Sequence, residues 1–234
     1  MSYASRRLST IEINGTFYRT QNPENFRRWA AETPDGFVFS VKAPRYATFR
    51  PRLAEAAPAI ERFFASGVSD LGDKLGPVLW QLPPHKRFDE ADLAAFLALL
   101  PRRLDGRSIR HAVEPRHRSF MAPDFIALLR RAGVAVAFAD SDVHPSIADL
   151  TADFVYARLQ RTTEGEPTGY GSADLDGWAE RCRTWADGGE PDDLPRISPV
   201  APGPPTPRPC FVYMISGAKV RAPAAAMALI ERLG

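Results

Sequence analysis

Polar and charged side chains occur at or near the end of almost every apolar run in this sequence. The set comprises Glu12, Asn14, Lys42, Gln81, Glu114, Asp140, Arg158, Gln160 and Lys219. Glu12 and Arg158 lie inside their runs, and a charge at such a position needs a partner or a ligand because burying it alone is costly. We therefore interpret both as candidate functional groups, although they could instead pair structurally with each other or with Lys42.

The densest charged cluster is Glu114-Pro115-Arg116-His117-Arg118. It places a carboxylate, two guanidinium groups and an imidazole within one turn, an arrangement that suits proton transfer beside an anion. A salt-bridged surface loop is the alternative interpretation of the same residues.

A metal site is a weaker hypothesis for this chain. Asp140, Asp142 and His144 have a spacing that could hold a divalent metal, but Asp-Ser-Asp before His-Pro is also common turn chemistry. The sequence has 4 histidines, which makes a multinuclear zinc site hard to assemble. We predict no cofactor and leave a divalent metal open as a minor alternative.

Two tyrosines on predicted loops, Tyr18 and Tyr170, could stack on a sugar or a base. The neighbouring pairs Phe17-Tyr18 and Phe63-Phe64 are otherwise typical of packing in a core or at its rim. The aromatic residues therefore leave a nucleic-acid ligand open without predicting one.

Composition bounds the class of protein. The chain has 234 residues, 44% hydrophobic and 25% charged, with a formal net charge of +2. The proportions of hydrophobic and charged residues indicate a globular chain. The net charge is too small to draw the whole molecule onto nucleic acid or a membrane. No apolar run reaches the length of a bilayer span, and no leader pattern opens the chain, so we expect a cytoplasmic protein. Cys182 and Cys210 are interpreted as packing residues.

Seven short apolar runs rich in branched and aromatic residues predict strands. They are 11–14, 37–42, 77–82, 109–114, 134–140, 154–160 and 210–216. Alternation along the sixth run places Tyr156 and Arg158 on one face, while Val155, Ala157 and Leu159 face the helices. We expect the polar face to point inward.

The segments between the runs have helical spacing and helix-starting residues such as Asn22-Pro23, Asp89, Pro123 and Pro223. Strands that alternate with helices pair in parallel, either in an open sheet or in a closed barrel. The first predicted strand is not followed by a glycine-rich dinucleotide turn, so we favour an α/β fold of the parallel TIM-type barrel. In a barrel, the polar strand ends converge on one rim.

The chain is predicted to be a single barrel domain over residues 1–234. The region from Pro191 to Pro209 is rich in proline and lacks apolar periodicity, so we expect an extended surface connection there.

Several motifs in order resemble the YecE-like family, a domain of unknown function (DUF72). They are Ile11–Tyr18, Gly36–Lys42, Leu71-Gly72 with Leu75-Gly76-Pro77, Gln81–Pro84, Glu114–His117 and Phe154–Arg158. The resemblance implies a TIM-type barrel with no assigned reaction. Members of the family usually have a first strand and helix before the Glu-Ile-Asn motif, so one of the usual eight strands is expected to be missing here.

Three functional hypotheses follow. The first is an enzyme of hydrolase or lyase type without an organic cofactor that acts on a small anionic molecule. The second is a nucleic-acid binding or processing module that uses the same cationic rim, and the third is an inactive, truncated barrel. The candidate catalytic residues are Glu12, Glu114, His117 and Asp140, and the candidate ligand-binding residues are Asn14, Tyr18, Lys42, Gln81, Arg116, Tyr156, Arg158 and Lys219.

Overall fold

A computed structural model describes residues 2–199, 206–215 and 217–234. The chain divides into two compact units, Met1–Phe120 and Met121–Gly234. This division does not test the expectation of one barrel domain over the whole chain, which stays a prediction.

In its described residues, the first unit has six strands, of which four form a parallel sheet. The six strands are β1 (Thr10–Ile13), β2 (Val38–Lys42), β3 (Leu75–Gln81), β4 (Arg103–Leu104), β5 (Arg107–Ser108) and β6 (His111–Glu114). The order β1-β2-β3-β6 is parallel throughout, and β4 and β5 form a separate antiparallel hairpin. Asp105 and Gly106 connect that hairpin with positive φ angles of 47° and 80°, as a two-residue turn of this twist requires.

The helices of the first unit are α1 (Gly15–Tyr18), α2 (Pro23–Ala31), α3 (Arg45–Thr48), α4 (Ala57–Phe64) and α5 (Glu90–Leu99), with 3₁₀ turns at Ala4–Arg6, Leu53–Glu55, Val68–Lys74 and Arg118–Phe120. Two of these helices, α2 and α5, begin at capping residues identified in the sequence. The side chains of Asn22 and Asp89 accept hydrogen bonds from the amides of Asn25 and Asp92, which caps α2 and α5. Both predicted helix starts are confirmed.

Aromatic packing fixes the helix-facing side of the first unit's sheet. The buried ring of Trp80 makes edge contacts with Phe63 of α4 and Phe96 of α5, at centroid distances of 6.0 and 5.4 Å. Its indole Nε1 donates to Nδ1 of His111 at 3.1 Å. Since Trp80 and Val113 are paired in register, the neighbouring positions Gln81 and Glu114 belong to the opposite face.

The second unit has three parallel strands in the order β7 (Ala135–Asp140), β8 (Val155–Leu159) and β9 (Cys210–Met214). Its helices are α6 (Pro123–Ala132), α7 (Ser172–Ala186) and α8 (Ala222–Leu233), with a 3₁₀ turn at Lys219–Arg221. Gly133 ends α6 with a φ of 63°, the left-handed conformation that favours glycine at this position.

The buried core of the second unit confirms the predicted face of β8. Val155, Ala157 and Leu159 pack in one cluster with side chains of α7 and α8, including Trp178 and Leu229. Cys182 lies in the same cluster and Cys210 packs against it, and both thiols are free, as interpreted from the sequence.

The seven predicted strands are confirmed, with bounds that differ by one to two residues at most ends. The proline-rich region has no regular element at residues 191–199 and 206–209, and its residues 200–205 lie outside the described part of the chain, as does Ser216 at the end of the last predicted strand. In the described residues, none of the helices has the length and apolar character needed to cross a membrane.

Candidate functional site

The register of the first unit's sheet places four predicted site residues on one face. Glu12 pairs with Ser40 of β2, and Lys42 follows two positions later on the same face. Lys42 pairs with Leu79 of β3, and Gln81, two positions beyond Leu79, pairs with Glu114 of β6. Glu12, Lys42, Gln81 and Glu114 therefore share the face opposite Trp80, and we call this set the polar face.

An irregularity in β3 is responsible for this alignment. Phe39 pairs with Leu75 and Val41 with Val78, so β3 has one residue more than β2 between the two pairs. Without the extra residue, the alternation would turn Gln81 away from Lys42. The hydroxyl of Ser40 donates to the carbonyl of Pro77 at 2.9 Å, so a side chain satisfies a carbonyl within the bulge.

Both carboxylates of the polar face are buried beside a donor. Glu12 is 8% exposed and its Oε1 accepts from Nδ2 of Asn14 at 2.8 Å. Glu114 is 0% exposed, and its Oε1 accepts from Nη2 of Arg116 at 3.2 Å. A buried carboxylate is expensive unless such donors compensate it, and each glutamate here accepts a hydrogen bond from a side chain that follows its own strand.

Lys42 is the cation of the polar face. Its Nζ lies 4.0 Å from the centroid of the Phe17 ring, a cation–π contact that stabilises the ammonium group in a buried place. The hydroxyl of Thr16 donates to the carbonyl of Lys42 at 2.7 Å and also approaches that of Ile13 at 3.0 Å. These contacts dock α1 onto the ends of β1 and β2 and fix the orientation of Phe17.

Three buried polar atoms at the carboxyl ends of β2, β3 and β6 have no hydrogen-bond partner among the described residues. They are Oγ1 of Thr48, Oε1 of Gln81 and Nε of Arg116. An unsatisfied buried polar group costs about 1–3 kcal/mol, and such groups are rare in native proteins. A polar ligand or bound water at this end of the sheet would satisfy these hydrogen-bond acceptors and the donor.

His117 lies on the loop that follows β6, and Tyr18 lies in α1, the short helix that follows β1. The Nδ1 atom of His117 accepts from the backbone amide of Ser119 at 3.1 Å and lies 2.8 Å from the hydroxyl of the same residue. This bonding leaves the ring proton on Nε2. Tyr18 ends α1 and is 73% exposed, so its ring is available to a ligand.

In the second unit, Tyr156 and Arg158 lie on the face of β8 opposite its helices, and both are buried. Arg158 pairs with Ala139 of β7 and with Tyr213 of β9. This agrees with the predicted alternation along β8.

Asp140 does not share that face. Its register partner is Leu159, so its carboxylate lies on the helix side of the sheet, where Arg161 Nε approaches at 3.2 Å and the Tyr170 hydroxyl donates at 3.2 Å. Burial raises the pKa of the Asp140 carboxyl although Arg161 and Tyr170 act in the opposite direction. Asp140 stays a predicted proton-transfer residue, but alternation separates it from Tyr156 and Arg158.

Tyr170 corrects an expectation from the sequence. Its position on a loop is as expected, but the ring, which could have stacked on a sugar or a base, is buried in the core of the second unit. Its hydroxyl also accepts from the amide of Arg161 at 2.9 Å. The ring is therefore a structural brace for Asp140 and Arg161 rather than a stacking surface.

Two further predicted positions lie at the surface of the second unit. Lys219 begins an exposed 3₁₀ turn. Asp142 is exposed and pairs with Arg161, at 2.9 Å between Oδ1 and Nη2. Within the described ranges, no group of three or more His, Cys, Asp or Glu side chains could hold a metal ion, so Asp140, Asp142 and His144 do not gather into the divalent site left open above.

Sequence reasoning missed a groove of about 810 Å³ in the first unit, formed by the loop after β2 and by the loop after β3 with the start of α5. Its lining includes Phe49, Arg50, Arg52, His85, Lys86, Arg87 and Asp92. Arginine is abundant throughout this sequence, so Arg50, Arg52 and Arg87 did not stand out as candidates. Lys86, one of only a few lysines in the chain, was the available signal.

Asp92 holds the two walls of the groove together. Its carboxylate accepts from the amides of Leu53 and Ala54 at 3.0 and 2.9 Å and from Nζ of Lys86 at 3.4 Å. Burial by itself would raise the pKa of the Asp92 carboxyl, but these donors outweigh it and the pKa is lowered. Lys86 also donates to the carbonyl of Pro51 at 2.6 Å, so the groove has a fixed shape.

The whole chain matches the family model described as "Protein of unknown function DUF72", over residues 1–234. The UPF0759 protein YunF of Bacillus subtilis is 31% identical over 127 residues, which cover 52% of this chain and 44% of YunF. The UPF0759 protein YecE of Escherichia coli K12 is 30% identical over 121 residues, 50% of this chain and 42% of YecE. The matched region thus spans less than half the length of these curated relatives.

Two solved structures are similar in fold. A DUF72 family protein from Enterococcus faecalis V583 superposes with a TM-score of 0.72 at 14% identity, over 99% of this chain and 92% of that protein. A DUF72 family protein from Thermotoga maritima MSB8 gives a TM-score of 0.65 at 19% identity, over 95% and 82%. With the parallel strands and surrounding helices, this likeness confirms the predicted fold class, an α/β chain of the TIM-type barrel.

Proposed function

The chain belongs to the DUF72 family, whose description assigns no reaction, and from its own residues we propose an enzyme that acts on a small anionic ligand at the polar face. The proposed chemistry is a hydrolysis or an elimination that needs no organic cofactor. Glu114 or Glu12 exchanges a proton with the ligand, and Lys42 and Arg116 hold its negative charge. Tyr156, Arg158 and Lys219 stay predicted ligand-binding residues.

The observation that carries the proposal is the group of unpartnered buried atoms beside the polar face. Oε1 of Gln81 is adjacent in register to Glu114, the fully buried carboxylate. Nε of Arg116 belongs to the same guanidinium that pairs with Glu114 through Nη2. A site whose acceptor and donor are satisfied only by a ligand is preorganised for binding, because no protein contact must break first.

Arg116 also explains how one site can bind an anion and move a proton. Its Nη2 compensates the charge of Glu114, while its Nε points elsewhere without a partner among the described residues. When an anion binds Nε, the guanidinium is shared between two negative groups and compensates Glu114 less. The carboxylate then becomes a stronger base at the moment that the ligand is present.

The test is a screen of phosphate and carboxylate esters for hydrolysis, followed by Glu114→Gln on any activity found. We expect kcat/KM to fall by about 10²–10⁴, the usual contribution of a general acid or base. Glu24→Gln, which changes an exposed glutamate in the first turn of α2, is the matched control and should leave the activity unchanged. Equal activity of Glu114→Gln and wild type rejects the proposed role.

A second variant separates function from folding. Gln81→Met keeps the approximate volume and removes the unpartnered acceptor, so the melting temperature should rise. The same change should weaken ligand binding, because the ligand loses the group that it satisfies. A variant that is less stable than wild type but equally active contradicts the assignment of Gln81 to the site.

A further inference from the structure

The groove beside α5 carries more positive charge than its acidic residues neutralise. Arg50, Arg52, Lys86 and Arg87 line it together with Asp89 and Asp92. Asp92 is paired with Lys86 and Asp89 caps α5 through one carboxylate oxygen, so three arginines remain against the single charge of Asp89.

Arg52 and Arg87 of the groove are exposed, and Arg50 is half-buried. Arg50 donates through Nη1 to the carbonyl of Glu55, while its Nε is buried without a hydrogen-bond partner in the part of the chain that the structure describes. The side chain of Arg52 is 71% exposed, and its Nε lies 3.8 Å from Oε1 of Glu55. An ion pair this exposed contributes little. Arg87 is exposed, and no hydrogen bond or ion pair to it occurs among the described residues.

A row of aromatic rings runs from the groove to the end of α1. His85 contacts Phe49 edge-on at 6.3 Å, Phe49 contacts Phe17 at 5.7 Å, and Phe17 contacts Tyr18 at 5.1 Å. Both ends of the row are exposed, since His85 and Tyr18 face solvent. The row therefore connects the rings of His85 and Phe49 in the groove lining to an exposed ring at the end of α1.

We propose that this groove binds single-stranded nucleic acid, with the phosphodiester backbone along Arg50, Arg52 and Arg87 and a base stacked on Tyr18. Cationic grooves with interspersed aromatic rings are the usual means of binding such strands without reading their sequence. The length of the aromatic row favours a strand of several nucleotides over a single nucleotide. The proposal does not rest on the function proposed for the polar face, since it concerns binding alone.

The first experiment measures the affinity of the intact protein for a fluorescent 12-nucleotide oligothymidylate by anisotropy at several salt concentrations. Three phosphate contacts predict a slope of about −2 in a plot of log K against log salt concentration. Arg52→Gln with Arg87→Gln should weaken binding at least tenfold at low salt and flatten the slope by about 1.4. An affinity that is indifferent to salt overturns the proposal.

The matched control is the pair Arg28→Gln and Arg103→Gln, which removes two exposed arginines of the same unit outside the groove. This variant should bind within about twofold of wild type. If both double variants weaken binding equally, the groove is not the site and the proposal fails.

Tyr18 supplies an independent test of the stacked base. Tyr18→Ala should reduce affinity by about tenfold, within the range measured for one base stacked on an aromatic ring, and Tyr18→Phe should restore it. ATP at the same phosphate concentration should compete weakly. Full displacement by ATP at an affinity equal to that of the oligonucleotide identifies a mononucleotide site and overturns the assignment to a strand.

Discussion

His111 is the residue whose titration most clearly affects the stability of this protein. Burial lowers the pKa of its imidazole to about 4 from 6.5. Trp80 donates to Nδ1, and Nε2 lies 2.8 Å from the carbonyl of Pro101. Both ring nitrogens are engaged by the neutral form, and protonation of Nδ1 would place a donor against the indole N–H.

The direction of the pH effect follows from this pKa. As the pH falls from 6.5 to about 4, the unfolded chain takes up a proton on His111 that the folded chain does not. The free energy of unfolding therefore decreases across this range, by about 3 kcal/mol in total. Urea unfolding at successive pH values measures the loss.

His111→Gln provides the comparison, because it removes the titrating ring and leaves the acidic residues unchanged. The difference in unfolding free energy between wild type and variant should shrink steadily between pH 6.5 and 4. The pKa of the Asp92 carboxyl is lowered, so its contribution to the free energy of unfolding is lost below the pH range in which His111 acts. This loss is the same in wild type and variant. Parallel pH profiles for the two proteins would show that His111 is not buried in its neutral form.

Among the elements, β3 determines how the polar face is assembled, and Gly76 makes its irregularity possible. A Cβ atom at this position would overlap Cγ1 of Val38 and lie 3.1 Å from the carbonyl oxygen of Phe39. Gly76→Ala should therefore lower the free energy of unfolding by about 1–3 kcal/mol, since a packed sheet cannot absorb the extra carbon. Chemical denaturation measures the effect.

Gly165→Ala is the corresponding control, since no atom lies within 4 Å of its added Cβ and its φ is not positive. We expect that variant to stay within about 0.5 kcal/mol of wild type. An equally small effect of Gly76→Ala would mean that β2 and β3 are not as close as the pairing indicates.

The same strand shows how far sequence reasoning reaches. Runs of branched and aromatic residues predicted where β2 and β3 lie, because burial on both faces leaves a strong local signal. The bulge was not predicted, since Gly76-Pro77 has the composition of a strand boundary. Gln81 is a predicted site residue, but its alignment with Lys42 depends on pairing between strands that are far apart in sequence.

Other parts of the candidate site depend on contacts between distant residues. Tyr170 is buried by packing against distant residues of the second unit's core, and its hydroxyl donates to Asp140, 30 residues away in the chain. The groove exists because Asp92 of α5 binds the amides of Leu53 and Ala54, 39 and 38 residues earlier. No local pattern carries this information, whereas alternation within β8 was enough to predict the faces of Tyr156 and Arg158.

At the scale of the whole molecule, charge is nearly balanced and its placement matters more than its sum. The formal net charge is +2 and the isoelectric point about 8.6. So small a charge gives little long-range attraction to a polyanion. Binding of nucleic acid would have to come from arginines gathered in one groove rather than from the average surface.

This balance yields a prediction that both double variants must satisfy. Each removes two positive charges from +2, so Arg52→Gln with Arg87→Gln and Arg28→Gln with Arg103→Gln both have a formal net charge of zero at pH 7. Proteins are least soluble near zero net charge. The pH of minimum solubility should therefore move from near 8.6 in wild type toward 7, by the same amount in the two variants.

Precipitation by polyethylene glycol across pH 6–10 measures this shift, on the order of one unit. Because the two variants match in charge and in solubility, a difference between them in oligonucleotide affinity reports the position of the arginines alone. Different solubility minima would show that one pair has a perturbed environment in the folded protein. Its use as a charge-matched control would then be invalid, and the comparison would require another pair of exposed arginines.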